Sequence, residues 1–120
     1  MNSLNLGYYI APAIGLITLL IGSAAVLRPQ IMSKNFGIAA SGPALPYVVS
    51  TGIRDLFIGI TILILFRQQD WNSLGLVHLS LGIVAISDFL VVQRHGDKKA
   101  SLIHLAGAVA VIGYGIFLLV

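Results

Sequence analysis

The sequence predicts an all-α integral membrane protein: a four-helix bundle with antiparallel up-down topology and both termini on the same side. Of its 120 residues, 58% are hydrophobic and 9% are charged, whereas a typical soluble domain carries about 25% charged residues. Four segments are long enough to cross a bilayer, which requires about 20 mostly apolar residues in a helix. We therefore expect residues 1–120 to form a single transmembrane domain.

Short polar breaks separate the predicted spans. Arg28-Pro29 ends the first span, the sequence RQQDWN separates the second from the third, and QRHGDKK separates the third from the fourth. The longest connection, residues 28–46, is apolar enough to fold back over one end of the bundle as a short interfacial helix. The predicted spans are residues 8–27, 47–66, 73–92 and 101–120.

Basic residues are divided unevenly between the two ends of the spans. One end has only Arg67, and five basic residues lie at the other. The positive-inside rule therefore places loops 28–46 and 93–100 in the cytoplasm and both termini outside the cell or in a lumen. We expect the endoplasmic reticulum or another internal membrane, with the termini lumenal. Because these cations lie in loops between apolar spans, we expect the lipid bilayer and no nucleic acid as a partner. The five are Arg28, Lys34, Arg94, Lys98 and Lys99.

Glycines recur seven residues apart in the first three spans. Seven residues are nearly two helical turns, so each pair lies on one helix face and allows close approach of a neighbouring helix. Such faces favour packing inside the bundle and would also allow a homo-oligomer. Aromatic residues near the span ends, Tyr114 among them, are expected at the membrane interface. The glycine pairs are Gly15 and Gly22, Gly52 and Gly59, and Gly75 and Gly82.

Four polar side chains interrupt the apolar spans: Arg54, Asp55, Asp88 and His104. The helical rise of about 1.5 Å per residue places all four in the membrane half nearest loops 28–46 and 93–100. Ionisable groups inside transmembrane segments are costly and typically mark function. We therefore take these four as the candidate catalytic residues.

The chemistry of the four is coherent. Arg54 stays charged and needs an anionic partner inside a bilayer. Its sequence neighbour Asp55 points about 100° away on the helix, so Asp88 from another span is expected to be the better bidentate partner, and His104 could donate to either carboxylate. One interpretation is an ion pair that only orders the bundle. The other is a water-accessible pocket with a paired acid and base.

His78 and Tyr47 are the candidate substrate-binding residues. His78 enters the third span from the opposite end, on the face of its glycines, where an interhelical hydrogen bond is the simpler interpretation and a substrate contact or proton relay the alternative. The chain has no cysteine, no P-loop, no GxSxG and no HExxH or Cys/His ligand spacing, so we expect neither a metal nor another cofactor.

The stretch GIRDLFIG at residues 52–59, together with Asp88 and His104, resembles a family of short four-span membrane proteins of unknown function. Many of these are fungal, and some lie in natural-product gene clusters, where certain small membrane proteins are thought to be epoxide hydrolases or cyclases. The resemblance implies an activity of that kind. Soluble limonene-type epoxide hydrolases also use two aspartates bridged by an arginine, although this chain shares no sequence motif with them.

The leading hypothesis is a membrane enzyme that opens epoxides of a lipophilic small molecule, by hydrolysis or cyclisation. Asp88 or Asp55 would be the general base, and the other carboxyl or His104 the general acid. The alternatives are a non-catalytic scaffold or partner-binding subunit, and a proton-coupled transporter. Small multidrug exporters have a similar length, but their hallmark is a Glu in the first helix, and this chain contains no Glu.

Overall fold

In the computed structural model, which describes residues 3–120, the chain is helical apart from short connections. The predicted all-α fold is confirmed, and four of the helices are long and apolar enough to cross a membrane. These four identify an integral membrane protein. A short 3-10 helix, Gly42–Ala44, precedes the fourth α-helix. The α-helices are α1 (Ser3–Tyr8), α2 (Ile10–Leu27), α3 (Pro29–Phe36), α4 (Leu45–Arg67), α5 (Trp71–His95) and α6 (Lys98–Leu119).

Local sequence signals set the helix ends. Asp70 caps α5 by accepting a 3.0 Å hydrogen bond from the Ser73 N–H, and hydrogen bonds from Ser73 lower the pKa of the Asp70 carboxyl. Asp97 caps α6 in the same way, with a 2.8 Å bond from the Lys99 N–H. Gly37 ends α3 with a left-handed φ of 113°, a conformation that favours glycine because it has no Cβ. The short helix expected in the first connection is therefore present as α3.

Helices α2 and α4 form one close pair through their glycine faces. A Cβ added to Gly22 would lie 2.7 Å from the Gly52 carbonyl oxygen, and a Cβ added to Gly59 would lie 2.8 Å from the Gly15 carbonyl oxygen. The pairing of Gly22 with Gly52 and of Gly15 with Gly59 means that the two helices run in opposite directions. Only glycine allows the two backbones to come this close.

Helices α5 and α6 form the second pair. A Cβ on Gly115 would lie 2.9 Å from the Gly75 carbonyl oxygen. Near the α5–α6 turn, the Ser101 hydroxyl donates a hydrogen bond to the Gln93 side chain. These contacts show that α5 and α6 also run in opposite directions. The molecule is therefore two tight helix pairs laid side by side.

The two pairs are joined by an apolar core at one end of the bundle, here called the packed end. Its buried residues come from all four long helices: Ala11 of α2, Ile62 of α4, Leu74 of α5, and Tyr114 and Leu118 of α6. Tyr114, which we expected at the membrane interface, is 7% exposed. The interface prediction is wrong for this residue because its hydroxyl has partners inside the bundle.

The Tyr114 hydroxyl joins α6 to the break between α1 and α2. It accepts a 3.1 Å hydrogen bond from the Ala11 N–H and donates one of 3.0 Å to the Gly7 carbonyl oxygen. Gly7 and Ala11 are four residues apart and would bond each other in a continuous helix. The hydroxyl takes the place of that bond, as inserted polar groups do at helix kinks.

Candidate functional site

At the opposite end of the bundle the two helix pairs separate and leave a cavity of about 210 Å³. We call it the charged cleft. All four predicted catalytic candidates line it, and three helices place them there. Arg54 and Asp55 come from α4, Asp88 from α5 and His104 from α6. The structure therefore brings together polar residues that are up to 50 positions apart in the sequence.

The remaining wall of the charged cleft is almost entirely apolar. Its one further hydroxyl belongs to Thr18, which donates a 2.8 Å hydrogen bond to the Ile14 carbonyl oxygen of its own helix. The ionisable groups thus face an environment with few other polar groups to solvate them. The other lining residues are Ile21, Phe36, Leu81, Val84, Ala85, Ile103 and Gly107.

Arg54 bonds first to its neighbour on the same helix. Its Nε and Nη2 lie 3.1 Å and 3.0 Å from Asp55 Oδ1, whereas Nη2 lies 3.6 Å from Asp88 Oδ2. The expectation that Asp88 would be the closer partner is wrong. A long arginine side chain curls back across the angle between adjacent helix positions, which residue spacing alone does not reveal.

The two carboxylates are therefore not equivalent. The side chains of Asp55 and Asp88 are 15% and 21% exposed, so both are mostly buried within the protein. Asp55 Oδ1 accepts a hydrogen bond from Arg54 Nε and lies 3.0 Å from Nη2, whereas the contact with Asp88 exceeds the usual length of an N–H···O hydrogen bond. Asp88 is thus the carboxylate with more freedom to bond another group in the cleft.

His104 bonds a backbone group rather than a carboxylate. Its Nε2–H donates a 2.8 Å hydrogen bond to the Phe36 carbonyl oxygen, and its ring lies 4.5 Å from the Phe36 ring. The last carbonyls of a helix have no partner within that helix, and Phe36 is the last residue of α3. The Phe36 carbonyl oxygen would otherwise lack a partner among the described residues. Its bond with His104 explains why the hydrogen bond that His104 could make to a carboxylate does not form.

Helix α3 and the residues after it form a strap (residues 29–40) at the cleft end. The Asp97 N–H donates a 2.9 Å hydrogen bond to the Gly37 carbonyl oxygen, which ties the strap to the α5–α6 turn. The Ala40 N–H donates one of 2.9 Å to Ser33 Oγ, which ties the strap to itself. The sequence reasoning did not identify Phe36 as a lining residue, although the apolar character of the first connection was a signal for it.

The structure places the two predicted substrate-binding residues elsewhere. His78 is fully buried beside Tyr114 at the packed end, with the two ring centroids 5.0 Å apart. Its Nδ1–H donates a 2.7 Å hydrogen bond to the Leu74 carbonyl oxygen of the same helix, so the expected interhelical bond is wrong. Tyr47 is 78% exposed near the start of α4. Neither side chain lines the charged cleft.

Residues 15–118 match the domain of unknown function DUF4267. The matched region runs from α2 to the end of α6 and includes every residue of the charged cleft. No curated protein and no solved structure matches the chain.

Proposed function

This chain belongs to the DUF4267 family, and we propose that it is a small integral membrane enzyme performing cofactor-free acid/base chemistry on a lipophilic small molecule. The leading reaction is the opening of an epoxide, by hydrolysis or by cyclisation, as a step of a biosynthetic pathway. The observation that carries this proposal is that a guanidinium, two carboxyls and an imidazole from three helices line one apolar cavity.

The contacts of Arg54 favour chemistry over a purely structural role. Its closest partner, Asp55, lies on the same helix, and a pair within one helix does not hold two helices together. The contact that does cross between helices, with Asp88, is the longer one at 3.6 Å. An ion pair that stabilises a bundle needs close geometry, and this contact is long, with the Arg54 side chain 37% exposed.

The charge balance of the cleft also favours chemistry. One guanidinium faces two carboxyl groups across a wall that supplies few other polar groups. Two adjacent carboxylates do not both ionise readily, so such a pair tends to share a proton. A site with one carboxylate and one carboxylic acid holds a general base and a general acid together.

These groups are sufficient for epoxide opening. The carboxylate removes a proton from water as the water oxygen forms a bond to an epoxide carbon. The C–O bond of that carbon breaks, and the carboxylic acid donates its proton to the departing epoxide oxygen, which yields a diol. In the cyclising reaction, a hydroxyl of the substrate replaces the water. The protein transfers only protons in each step, so no cofactor is required.

We assign the direct proton transfer with the substrate to Asp88, because Asp55 Oδ1 already accepts a hydrogen bond from Arg54 Nε and pairs with Nη2 at 3.0 Å. Arg54 then orients both carboxyls, and Asp55 completes the acid/base pair. His104 is the alternative acid in its imidazolium form, in which Nδ1–H can donate a proton while Nε2–H bonds the Phe36 carbonyl oxygen.

The cavity favours a lipophilic substrate. Its volume of about 210 Å³ is below the range of about 300–1,000 Å³ typical of sites for drug-sized ligands. It would therefore hold the epoxide and its nearest carbons, while the rest of the molecule lies among the lipid chains. Tyr47 and His78 do not line this cavity, so the prediction that they bind the substrate concerns the part of the substrate outside it.

The direct test is activity with a panel of lipophilic epoxides, comparing the reconstituted wild type with Asp55→Asn and Asp88→Asn. We expect conversion to diols or cyclic ethers by the wild type and a loss of about 100-fold or more in each variant, the usual scale for a general acid or base. Full activity in both folded variants would refute the proposal.

The orientation of the protein is part of the proposal. An antiparallel up-down bundle would bring loops 28–46 and 93–100 to the same side of the membrane. The excess of Lys and Arg in these loops favours the cytoplasm for them and the lumen for the termini. Since the chain has no cysteine, single substitutions Ser41→Cys and Asn72→Cys report the sidedness with a membrane-impermeant maleimide. Labelling of position 41 from the cytoplasm and of position 72 from the lumen is expected. The reverse pattern would overturn the orientation.

A non-catalytic scaffold is the second candidate, and one observation favours it. The hydrogen bond from His104 to Phe36 attaches the strap to α6, a contact that could present the strap to a partner. In that case Arg54→Ala and Asp88→Ala should lower the thermal stability sharply while folded protein still binds its partner. Unchanged stability in both variants would exclude a purely structural role for the cluster.

A further inference from the structure

A second cavity lies at the packed end, on the outside of the bundle. Its volume is about 640 Å³, and aromatic rings form much of its wall. The Tyr9 and Phe66 rings lie 6.0 Å apart at 61°, and the Phe66 and Trp71 rings lie 5.9 Å apart at 71°. Tyr8 packs against Trp71 with ring centroids 4.4 Å apart, and these contacts hold a set of aromatic rings along one cavity wall. Aromatic ring faces attract quaternary ammonium groups.

The same cavity contains one cation and no acid. Arg67, the last residue of α4, lines it, and it forms no salt bridge with any residue in the described part of the chain. The nearest carboxyl in sequence, Asp70, accepts a hydrogen bond from Ser73 and is not part of the wall. The guanidinium is therefore available to bind an anion, for which a phosphate is a natural bidentate partner.

A residue with an unfavourable backbone conformation also faces this cavity. Gln69 has a φ of 57°, a left-handed conformation that costs free energy for a residue other than glycine. Gln69 lines the same cavity as Arg67, and its side-chain amide is a group that can donate to an oxygen ligand. A glycine would fit the turn better, so the glutamine is consistent with a role for its side chain in binding.

We propose that this aromatic cleft binds a phospholipid with a phosphocholine headgroup. The phosphate would bond Arg67, and the quaternary ammonium would lie against the faces of Tyr9, Phe66 and Trp71. The position suits a bilayer lipid, because one candidate span ends at Arg67 and the next begins at Trp71. These residues therefore lie at the level where lipid headgroups meet the acyl chains.

The chain offers a direct readout, since its single tryptophan is the Trp71 of this cleft. Lipids with brominated acyl chains quench tryptophan fluorescence when bound nearby, and competition with unbrominated lipids gives relative affinities. For the wild type we expect phosphatidylcholine to bind about fivefold more strongly than phosphatidylglycerol with the same chains, the scale of a cation–π contact. Simple attraction to a chain of net charge +3 would give the opposite order.

Matched variants separate the two parts of the site. Tyr9→Leu should abolish the preference for phosphatidylcholine, whereas Tyr9→Phe should keep it. The Tyr9 side chain makes no capping hydrogen bond to α2, so neither change removes a cap. Arg67→Gln should weaken both phospholipids, and Arg94→Gln, at the other end of the bundle, should leave both affinities unchanged.

Three results would overturn the proposal. The first is equal or stronger binding of phosphatidylglycerol by the wild type. The second is an undiminished preference for phosphatidylcholine in Tyr9→Leu. The third is relief of quenching by soluble phosphocholine at the same mole ratio, because the ligand would then be a soluble molecule rather than a lipid.

Discussion

The two ends of the interface between the helix pairs are built differently. At the packed end, apolar side chains from all four long helices are buried together. The Tyr114 hydroxyl there bonds Gly7 and Ala11, whereas His78 Nε2 is buried without a hydrogen-bond partner among the described residues. At the cleft end, four ionisable side chains line a cavity with few polar neighbours. The same two helix pairs therefore make a close apolar contact at one end and enclose a charged cavity at the other.

The difference separates the residues that hold the bundle together from those available for chemistry. A histidine at the packed end, His78, is fully buried and bonded within its own helix. The histidine at the cleft end, His104, is part of a cavity wall and bonds a carbonyl on the strap. One residue type thus has two environments, and only the second leaves room for another molecule.

The largest loss of stability is expected from a substitution at the contact between α2 and α4. Gly22→Val places a side chain where even a Cβ would lie 2.7 Å from Gly52 O and 2.8 Å from Leu56 N. Because these neighbours are backbone atoms, the helices must separate, and we expect a loss of about 3 kcal/mol in the free energy of unfolding. Thermal unfolding in detergent measures it.

The matched control is Gly107→Val, because a Cβ at Gly107 meets nothing within 4 Å. Equal stability of the two variants would show that α2 and α4 do not form a rigid unit. The cleft would then not be a gap between two fixed pairs.

A smaller loss of stability is expected at the packed end. Leu74 is fully buried, and Leu74→Ala leaves a cavity that costs about 2 kcal/mol. The value lies at the low end of the range for cores because lipid solvates a leucine as well as the protein interior does. Activity per folded molecule should stay at the wild-type level, since Leu74 does not line the charged cleft.

The control for this variant is Leu76→Ala on the same helix, where the side chain is exposed. It should unfold at the wild-type temperature. A strong loss of activity in Leu74→Ala at a temperature where it is folded would contradict the account. In the account, packed-end residues only stabilise the bundle and cleft residues perform the chemistry.

The smallest effect is expected from the Tyr114 hydroxyl. Tyr114→Phe leaves the Ala11 N–H and the Gly7 carbonyl without their present partner, and an unpaired buried group costs about 1–3 kcal/mol. The two groups can re-form the helical bond between them, so we expect a loss of about 1 kcal/mol, at the low end of that range, from thermal unfolding. Hydrogen exchange at Ala11 distinguishes the outcomes: slower exchange indicates a continuous helix, and unchanged exchange would show that the hydroxyl does not interrupt it.

The all-α fold and the grouping of the four ionisable residues could be predicted from the sequence. Apolar length predicts helices, and helical rise gives depth, so residues 54, 88 and 104 could be placed near one end without a structure. The glycine spacing also indicated which helix faces pack closely. Depth along a helix, however, does not give the direction of a side chain or the pairing of helices.

The partners of Arg54 and His104 could not be predicted for that reason. Arg54 reaches its sequence neighbour Asp55 because its side chain is long and flexible, a choice of rotamer that residue spacing does not encode. His104 bonds Phe36 because α3 ends beside it, which depends on how the strap folds back. Likewise, the burial of Tyr114 depends on the α1–α2 break.

The most direct test of a chemical role for the charged cleft is Asp88→Asn, with turnover and thermal unfolding measured on the same reconstituted sample. Asparagine keeps the shape of the side chain and removes the negative charge, and the ion pair that Asp88 forms with Arg54 is already long at 3.6 Å. We predict a fall in epoxide turnover of about 100-fold or more with the unfolding temperature close to that of the wild type. A sharply lower unfolding temperature with full turnover per folded molecule would contradict a chemical role for the cleft. It would show instead that the ionisable cluster stabilises the bundle.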